Sequence, residues 1–439
     1  MIKKLLNSKF KKDLIFSYFT QGVTIGFGFL QLFLINRYFG VETYGQLAII
    51  MSTAGIFSAL LTARSSEAIT RFFTREMINN NFQNAKFILT IGFCIDIITA
   101  LFMIGLTYML SEFVAETFMK NIKFSSEVFL YSFVIFFGFL RGTIFGYFQS
   151  KEMFFFINSV NVVEALIKAT LLLIIIFVLQ DSSLYEIIAT LIIASILSYI
   201  YVLIVFLKNY IKEFKNISTK YNKAILKEYW SFNIKTFTSS SLKAGNSNID
   251  NFLIAYFINV QMVGIYQIIK KILSPIGNFT SPFSMLVYPK LVNYFETQQK
   301  EKFKEIIFRI SFYIGLFCLA YCLIFFFAFE YIFEIMKVEF FENYNIVYLL
   351  FALFTFISSM LWWVRIFSNT VNPNYSLYMN IFATIFQLTI TVFMTYLFEI
   401  KGLLVSMIIM NTIVGFYMIT KINIYNSTIN RDRKSTRLN

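Results

Sequence analysis

Long apolar segments alternate with short polar loops along the whole chain. Each segment is about as long as the ~20 residues that an α-helix needs to cross the hydrocarbon core of a bilayer. The pattern therefore predicts an all-α polytopic membrane protein. The twelve predicted spans are approximately 14–36, 45–63, 87–110, 128–148, 155–179, 184–207, 231–257, 263–288, 308–328, 345–366, 376–398 and 402–422.

The composition agrees with a membrane protein and narrows its chemistry. Hydrophobic residues make up 58% of the chain and charged residues only 14%, which is atypical of a soluble domain. The chain has no histidine, the commonest general base and metal ligand. It also has no Walker-type phosphate loop and no GxSxG motif. We therefore expect a protein that is not an enzyme and has no cofactor or metal, although coupling to an ion gradient is compatible with the sequence.

The loop charges predict the orientation of the spans. Of the 38 basic residues, 28 lie in the N-terminal arm, the C-terminal tail and every second loop. Arg141 is counted here as part of the loop after the fourth span. The opposite loops contain five. By the positive-inside rule, both termini are expected in the cytoplasm, with the protein in the inner (plasma) membrane. The net charge of +14 is then mostly a topology signal, because no soluble domain exists to present a basic face to nucleic acid.

The C-terminal stretch 432–439 reads Asp-Arg-Lys-Ser-Thr-Arg-Leu-Asn and looks like a translated sequencing adapter. We expect it not to be native and leave it out of the functional argument. Twenty-five basic residues then remain on the predicted inner side, so the predicted orientation is unchanged.

Two short matches suggest that the chain is duplicated. The run 38–46 resembles 256–264, and Glu-x-x-x-Glu followed by Met119-Lys120 resembles Glu-x-x-x-Glu followed by Met336-Lys337. Both matches have an offset near 218 residues. We therefore predict an N-terminal lobe at 1–207, a basic linker at 208–230 and a C-terminal lobe at 231–431. Six spans in each lobe make the repeats parallel, related by a pseudo-two-fold axis along the membrane normal, with a central cavity.

The seventh span has a polar face that should not contact lipid. Its members fall within about 80° of one another at helical spacing. A charge at mid-bilayer costs roughly 2.5–3.5 kcal/mol, so this face is expected either to line a cavity or to hold a Lys243–Asp250 pair inside the bundle. The two interpretations are compatible. The face consists of Lys235, Ser239, Lys243, Asn246 and Asp250.

Other polar residues also fall within spans. The first span, the counterpart of the seventh, has a weaker stripe of Ser17, Gln21, Thr24, Gly28 and Gln31. Glu164 and Lys168 are four residues apart and are expected to neutralise each other. Asp96, Lys270 and Lys271 complete the embedded charges. Together these charges leave a positive excess, which suits an anionic substrate such as a phosphate or pyrophosphate headgroup.

Two motifs resemble those of polysaccharide flippases, the Wzx-type members of the MOP/MATE superfamily. One is the run from Arg37 to Gly45 followed by Arg64 and then Ile69-Thr70-Arg71-Phe72, and the other is Asp250-x-x-Leu253-Ile254-x-Tyr256-Phe257. The resemblance covers nearly the whole chain in span number and loop length. It implies a cavity lined by helices one and seven that receives an undecaprenyl-pyrophosphate-linked oligosaccharide.

The resemblance also implies roles for individual residues. Lys235, Lys243 and Asp250 would line the cavity, and Arg64 and Arg71 would lie at its inner mouth. Asn251 departs from the family, which often has a basic residue there. The complete set of candidate substrate-binding residues is Gln21, Gln31, Arg64, Arg71, Lys235, Ser239, Lys243, Asn246, Asp250 and Lys270.

The favoured function is a flippase for surface polysaccharide, such as O-antigen of lipopolysaccharide, with glycosyltransferases or a polymerase as possible partners. A cation-coupled multidrug exporter of the same fold is an alternative, but it should have an acid in the middle of the first span, and Asp13 lies only at the end of that span. A membrane polysaccharide polymerase or ligase is a further alternative. Such enzymes need a large outward loop, and the longest predicted here have about 17 residues.

Overall fold

The computed structural model describes most of the chain. For several segments, which include 8–14, 59–61, 235–245, 278–286 and 422–435, it describes the backbone alone. The described residues are 8–61, 65–179, 183–219, 221–245, 248–297, 299–341, 343–371 and 373–435. Within these ranges the secondary structure is helical and no strand occurs. The predicted all-α polytopic fold is confirmed. Helices suit the apolar sequence because in hydrocarbon every backbone N–H must find its acceptor within the protein.

By its packing the chain divides into two compact units. The first comprises Met1–Tyr256 with Val260–Gly264, and the second comprises Phe257–Asn259 with Ile265–Asn439. This division differs from the predicted boundary at 208–230, because the helix that follows this linker packs on helices of the first unit. The division into 1–207 and 231–431 stays a prediction.

The described part of the first unit contains seven long helices and two short ones of 14 and 9 residues. They are α1 (Ser8–Phe39), α2 (Val41–Leu61), α3 (Ser65–Ile78), α4 (Phe82–Phe118), α5 (Ser125–Ser150), α6 (Phe154–Ile174), α7 (Leu184–Phe214), α8 (Lys223–Gly245) and α9 (Ile249–Phe257). The first turn of α10 (Val260–Glu296) also belongs to this unit. A 3₁₀ turn at Ile122–Phe124 precedes α5, and a π-helical turn at Ile175–Leu179 extends α6.

The second unit contains the remainder of α10 and five further helices. These are α11 (Lys300–Ile335), α12 (Asn343–Met360), α13 (Val364–Val371), α14 (Pro373–Phe386) and α15 (Val392–Ser435). A π-helical turn at Gln387–Thr391 joins α14 to α15. Helix α15 has a kink at Phe398 and Glu399, where the backbone angles are not helical. It contains the end of the eleventh predicted span and the whole of the twelfth.

Among the described residues, eight helical segments are long and apolar enough to cross a membrane. They account for nine of the twelve predicted spans, because the segment Tyr378–Lys421 covers two. The seventh span was predicted as one helix and is instead divided: α8 ends at Gly245 and α9 begins at Ile249. The described residue directly before α9, Asn248, lies in a turn, and asparagine favours turns over helix interiors.

Each unit has its own aromatic core. In the first, Phe73 and Tyr147 contact edge to face with ring centroids 5.5 Å apart, and Tyr147 contacts Phe206 in the same way at 5.1 Å. In the second, the core includes Trp362, Trp363 and Phe367. Such edge-to-face contacts stabilise by roughly 0.5–1.5 kcal/mol beyond the burial of apolar area.

The two units end their third and ninth spanning helices in the same way. Beyond the C-termini of α4 and α11, Lys120 has φ +58° and Lys337 has φ +55°, the left-handed conformation of a helix C-cap. The preceding cap residues, Met119 and Met336, are both helical and both donate a 3.1 Å backbone hydrogen bond one turn back. These are the residues of the predicted sequence repeat, so the shared cap supports a duplication.

Candidate functional site: a polar cluster in the first unit

Two helices of the first unit, α5 and α6, bring charged side chains together at membrane depth. The carboxylate of Glu164 on α6 accepts hydrogen bonds from the guanidinium of Arg141 on α5 and from the ammonium of Lys168, which is 2.7 Å from Glu164 Oε1. The three side chains are 9% (Arg141), 16% (Glu164) and 22% (Lys168) exposed. The predicted pairing of Glu164 with Lys168 is therefore confirmed, but a third member leaves the cluster with a net charge of +1.

Neutral groups complete the shell of this cluster. The Ser198 hydroxyl donates to Glu164 Oε2 at 3.3 Å, and Arg141 Nη2 lies 3.5 Å from the Ser195 carbonyl oxygen, both on α7. From α1, the Gln31 amide donates to the Ala165 carbonyl oxygen at 3.4 Å. Gln31, one of the predicted substrate-binding residues, thus contacts the backbone of α6 at the residue next to Glu164.

Arg141 corrects one sequence prediction. It was counted with the basic loop after the fourth span, whereas it lies inside α5 and is buried. Glu164 explains the burial, because a charge is tolerated in a membrane helix when an opposite charge and hydrogen bonds compensate it. Sequence spacing could not reveal this contact, since the two residues are on different helices.

Asp96, a second buried acid of the first unit, has a different partner. Its carboxylate, 3% exposed, accepts a 2.7 Å hydrogen bond from the backbone N–H of Thr143 on α5. A methyl group on Gly142 would lie 3.2 Å from both carboxylate oxygens, so the glycine gives Asp96 its close approach. Among the described residues Asp96 forms no ion pair, and backbone N–H donation accounts for part of its hydrogen bonding.

At the beginning of α9, two buried polar side chains follow the break in the seventh span. Asp250 is 3% exposed and accepts from the backbone N–H of Asn251 at 3.0 Å. The Asn251 amide, also 3% exposed, donates to the Ser52 hydroxyl on α2 at 2.6 Å. Asn251, the residue that departs from the resembled family, is therefore bound to a serine of α2.

The other predicted residues are dispersed. Gln21 is exposed on α1, and Arg71 is exposed on α3 with its guanidinium 5.1 Å from the Phe232 ring centroid and 5.6 Å from that of Phe72. Lys270, in the second unit, is half-buried and lies 5.4 Å from the Tyr266 ring centroid. The side chains of Arg64, Lys235, Ser239, Lys243 and Asn246 lie outside the described residues.

Outside the predicted spans, α3 is joined to the beginning of α8 by an ion pair. Arg75 Nη1 donates to both carboxylate oxygens of Glu228, at 2.9 and 3.0 Å, and Arg75 Nε donates to Glu76 at 3.1 Å. The hydrogen bonds that Arg75 donates to Glu228 raise the pKa of Arg75 above its usual value. Glu76 in turn accepts from the side chains of Asn81 and Asn84. This network fixes α8 against α3 at the predicted cytoplasmic mouth.

Two glycines allow α2 and the first turn of α10 to touch backbone to backbone. A methyl group on Gly45 would lie 2.1 Å from the Val260 carbonyl oxygen, and one on Gly264 would lie 2.2 Å from the Val41 carbonyl oxygen. The contact is reciprocal, as at an interface between copies related by a two-fold axis. Both glycines fall in the sequence repeat, and this observation supports the predicted duplication independently of the helix caps.

Comparisons with known proteins agree with this architecture. The sequence profile of a family described as polysaccharide biosynthesis protein matches residues 10–295. An inward-facing multidrug resistance MATE family transporter of the MOP superfamily superposes with TM-score 0.70 at 12% identity, covering 94% of this chain and 99% of that one. The lipid II flippase MurJ in an inward closed conformation gives 0.68 at 15%, covering 94% and 87%.

A more distant match is the Vibrio cholerae MATE transporter VcmN in its bent form, with TM-score 0.52 at 12% identity, covering 93% of this chain and 97% of that one. At these identities the likeness concerns the fold. A search of curated proteins returns no match.

Proposed function

Because the chain belongs to the family of polysaccharide biosynthesis proteins, whose profile covers residues 10–295, we propose that it is a flippase for a lipid-linked oligosaccharide. The fold is that of MOP-superfamily transporters and flippases, which are not enzymes. The proposed substrate is undecaprenyl-pyrophosphate-linked oligosaccharide, moved from the cytoplasmic to the outer leaflet by alternating access for surface polysaccharide biosynthesis.

The observation that carries the proposal is the net positive cluster of Arg141, Glu164 and Lys168. Membrane proteins seldom contain charges at this depth unless the charges serve transport or pairing, and pairing alone would need only one cation for this carboxylate. A pyrophosphate is a compact polyanion that guanidinium and ammonium groups recognise well. The unbalanced cation therefore supports an anionic substrate over a cationic one.

The remainder of the substrate sets two further requirements. An oligosaccharide has many hydroxyl groups, so its path must offer hydrogen bonds and water, which the predicted polar face from Lys235 to Asp250 would supply. A polyprenyl tail is apolar and would stay in lipid throughout, as burying it costs nothing there.

Transport should be tested on the full chain reconstituted into vesicles with a lipid-linked oligosaccharide in the inner leaflet. Transfer to the outer leaflet is followed by the accessibility of the sugar to an added lectin. Lys235→Ala and Lys243→Ala are expected to reduce transfer without blocking membrane insertion. Lys227→Ala is the matched control, since Lys227 is an exposed lysine of the same helix.

Two results would contradict the proposal. Transfer at the wild-type rate in both Lys235→Ala and Lys243→Ala would remove the α8 face from the substrate path. Failure of the wild-type protein to transfer any pyrophosphate-linked sugar, while it exports a cationic dye, would favour the alternative below.

The second candidate is a cation-coupled exporter, and Asp96 is the observation that favours it. A buried carboxylate without an ion pair among the described residues could bind and release a proton during transport. Asp96→Asn would then abolish the pH dependence of transport while leaving substrate binding intact. The same residue could serve ion coupling in a flippase, so the substrate assay above decides between the two functions.

We further propose that the protein spans the inner membrane with both termini in the cytoplasm. The support is the loop charge, and the relevant exposed basic residues include Lys208, Lys212, Lys215 and Lys223. Glycosyltransferases or a polymerase that share the substrate would then meet the protein on opposite faces of the membrane. Labelling of single cysteines from each side of an intact membrane tests the orientation.

A further inference from the structure

The second unit contains an apolar cavity that the proposed transport reaction does not use. Its volume is about 300 Å³, and it lies between α14 and the second half of α15. Met379, Val414 and Tyr417 form its floor and pack against the aromatic core of this unit. The lining residues are Tyr378, Met379, Phe382, Ile413, Val414 and Tyr417.

The cavity opens to the outside of the unit, where the lipid of the membrane would be. Tyr378 is 58%, Phe382 37% and Ile413 43% exposed, so the side chains at the rim are not covered by other described residues. Both helices belong to the segment Tyr378–Lys421, which is long and apolar enough to span a bilayer. An apolar cavity in such a surface is available to an acyl chain and unsuited to a polar solute.

One end of the cavity carries a positive charge. The ammonium of Lys421 lies 5.2 Å from the ring centroid of Tyr417 and 5.7 Å from that of Tyr375. Among the described residues, no carboxylate forms an ion pair with Lys421. The loop charges assign this end of α15 to the cytoplasmic surface. Tyrosine and lysine together are typical of the level of the lipid headgroups.

The dimensions fit one acyl chain that hangs from that surface. From Tyr375 to Phe382 is seven residues along α14, or about 10 Å of helix. A chain entering beside Lys421 would therefore pass the tyrosines and end near Phe382, about one third of the way through a ~30 Å hydrocarbon core. This length suits part of one leaflet's acyl chain. A polyprenyl tail would extend far beyond it.

We propose that this groove binds an anionic phospholipid of the inner leaflet. One acyl chain fills the cavity between α14 and α15, and Lys421 contacts the phosphate of the headgroup. The tyrosine rings beside Lys421 hold the ammonium at the mouth, because a cation is attracted to an aromatic face. The lipid would act as a bound structural partner of the second unit, separate from the transported substrate.

The test uses the full chain, purified in detergent and incubated with mixed micelles of phosphatidylglycerol and phosphatidylcholine. The lipids retained after gel filtration are quantified, and the ratio of the two measures headgroup preference. Lys421→Ala is expected to lower the preference for phosphatidylglycerol about fivefold, the factor that one basic residue supplies near an anionic lipid. Lys421→Arg should keep this preference, and the control is Lys401→Ala, at a lysine of α15 just after its kink and far from the cavity mouth.

A second variant tests the cavity itself. Val414→Phe places a larger side chain inside it and should reduce retention of both lipids, whereas Val405→Phe on the exposed side of the same helix should not. Equal lipid retention in Val414→Phe and the wild type would overturn the proposal. The proposal would also be overturned if Lys421→Ala and Lys401→Ala lowered the preference for phosphatidylglycerol equally, or if undecaprenyl phosphate displaced phosphatidylglycerol stoichiometrically. An unchanged unfolding midpoint without added lipid shows that each variant is folded.

Discussion

Replacement of Glu164 by glutamine should destabilise the first unit by leaving two cations without their shared carboxylate. In the wild type, Glu164 contacts the guanidinium of Arg141 and, at 2.7 Å, the ammonium of Lys168. Glutamine keeps the volume and the hydrogen-bonding ability of the side chain and removes only its charge. The variant therefore isolates the electrostatic contribution of the cluster.

The expected cost follows from how deeply each partner is buried. Removing one member of a buried ion pair typically costs 3–5 kcal/mol, because the remaining charge is left uncompensated. Arg141 is 9% exposed and cannot regain water in place, whereas Lys168 is 22% exposed and can turn its flexible chain outward. We therefore expect the lower end of that range, about 3 kcal/mol in the free energy of unfolding.

Reversible denaturant titration in mixed micelles measures this free energy, and two further variants calibrate it. The double variant of Glu164→Gln with Lys168→Gln restores the wild-type net charge and should recover a large part of the loss. Ser198→Ala removes only the neutral hydrogen bond to Glu164, 3.3 Å long, and should cost about 0.6 kcal/mol, the average for such contacts in a membrane protein.

The reasoning would be refuted if Glu164→Gln cost no more than Ser198→Ala. It would equally be refuted if the double variant were as unstable as the single one, since the loss would then not come from unbalanced charge. Lys168→Gln alone separates stability from function. It leaves the Arg141–Glu164 pair intact but removes the excess charge, so it should weaken binding of a pyrophosphate lipid while changing stability little.

Three other predictions concern contacts elsewhere in the first unit. Gly264→Ala would place a methyl group 2.2 Å from the Val41 carbonyl oxygen and should lower the unfolding midpoint, while Gly105, where an added methyl group meets no described atom within 4 Å, should tolerate the same change. Asn251→Ala leaves the buried Ser52 hydroxyl without this donor and should cost about 1–3 kcal/mol in denaturant titration, more than an exposed Asn→Ala change. Glu213→Gln, which weakens the contact of this carboxylate with Tyr147 of α5 and with Lys151 directly after α5, should speed amide hydrogen exchange at the ends of α5 and α7, and unchanged exchange would contradict it.

Features that depend on one helix could be predicted from the sequence. Most of the spans are found where the hydropathy predicts them, because the length of an apolar helix is fixed by the membrane. The contact between Glu164 and Lys168 is given by their i,i+4 spacing. The matched caps at Lys120 and Lys337 follow from the repeated Met-Lys ending, since a local turn is formed by local residues.

Features that depend on two helices could not be predicted in this way. Arg141 joins Glu164 only because α5 packs beside α6, and nothing in the spacing of 23 residues indicates it. The same holds for Lys421 beside Tyr375, which belong to different helices. The break before α9 was missed for another reason: the polar face of the seventh span continues across it at helical spacing, so the periodicity conceals the interruption.

Comparison of the two predicted halves distinguishes the backbone features that they share from the charges that only the N-terminal half has. Three backbone features occur in both halves among the described residues. They are the left-handed caps at Lys120 and Lys337, the closely packed glycines Gly45 and Gly264, and the π-helical turns at Ile175–Leu179 and Gln387–Thr391. The charges are not shared. At an offset of 218 residues, Arg141, Glu164 and Lys168 correspond to Ser359, Phe382 and Phe386, which are neutral. The predicted repeat therefore does not require these charges, and their burial in the first unit supports the anionic substrate that we propose.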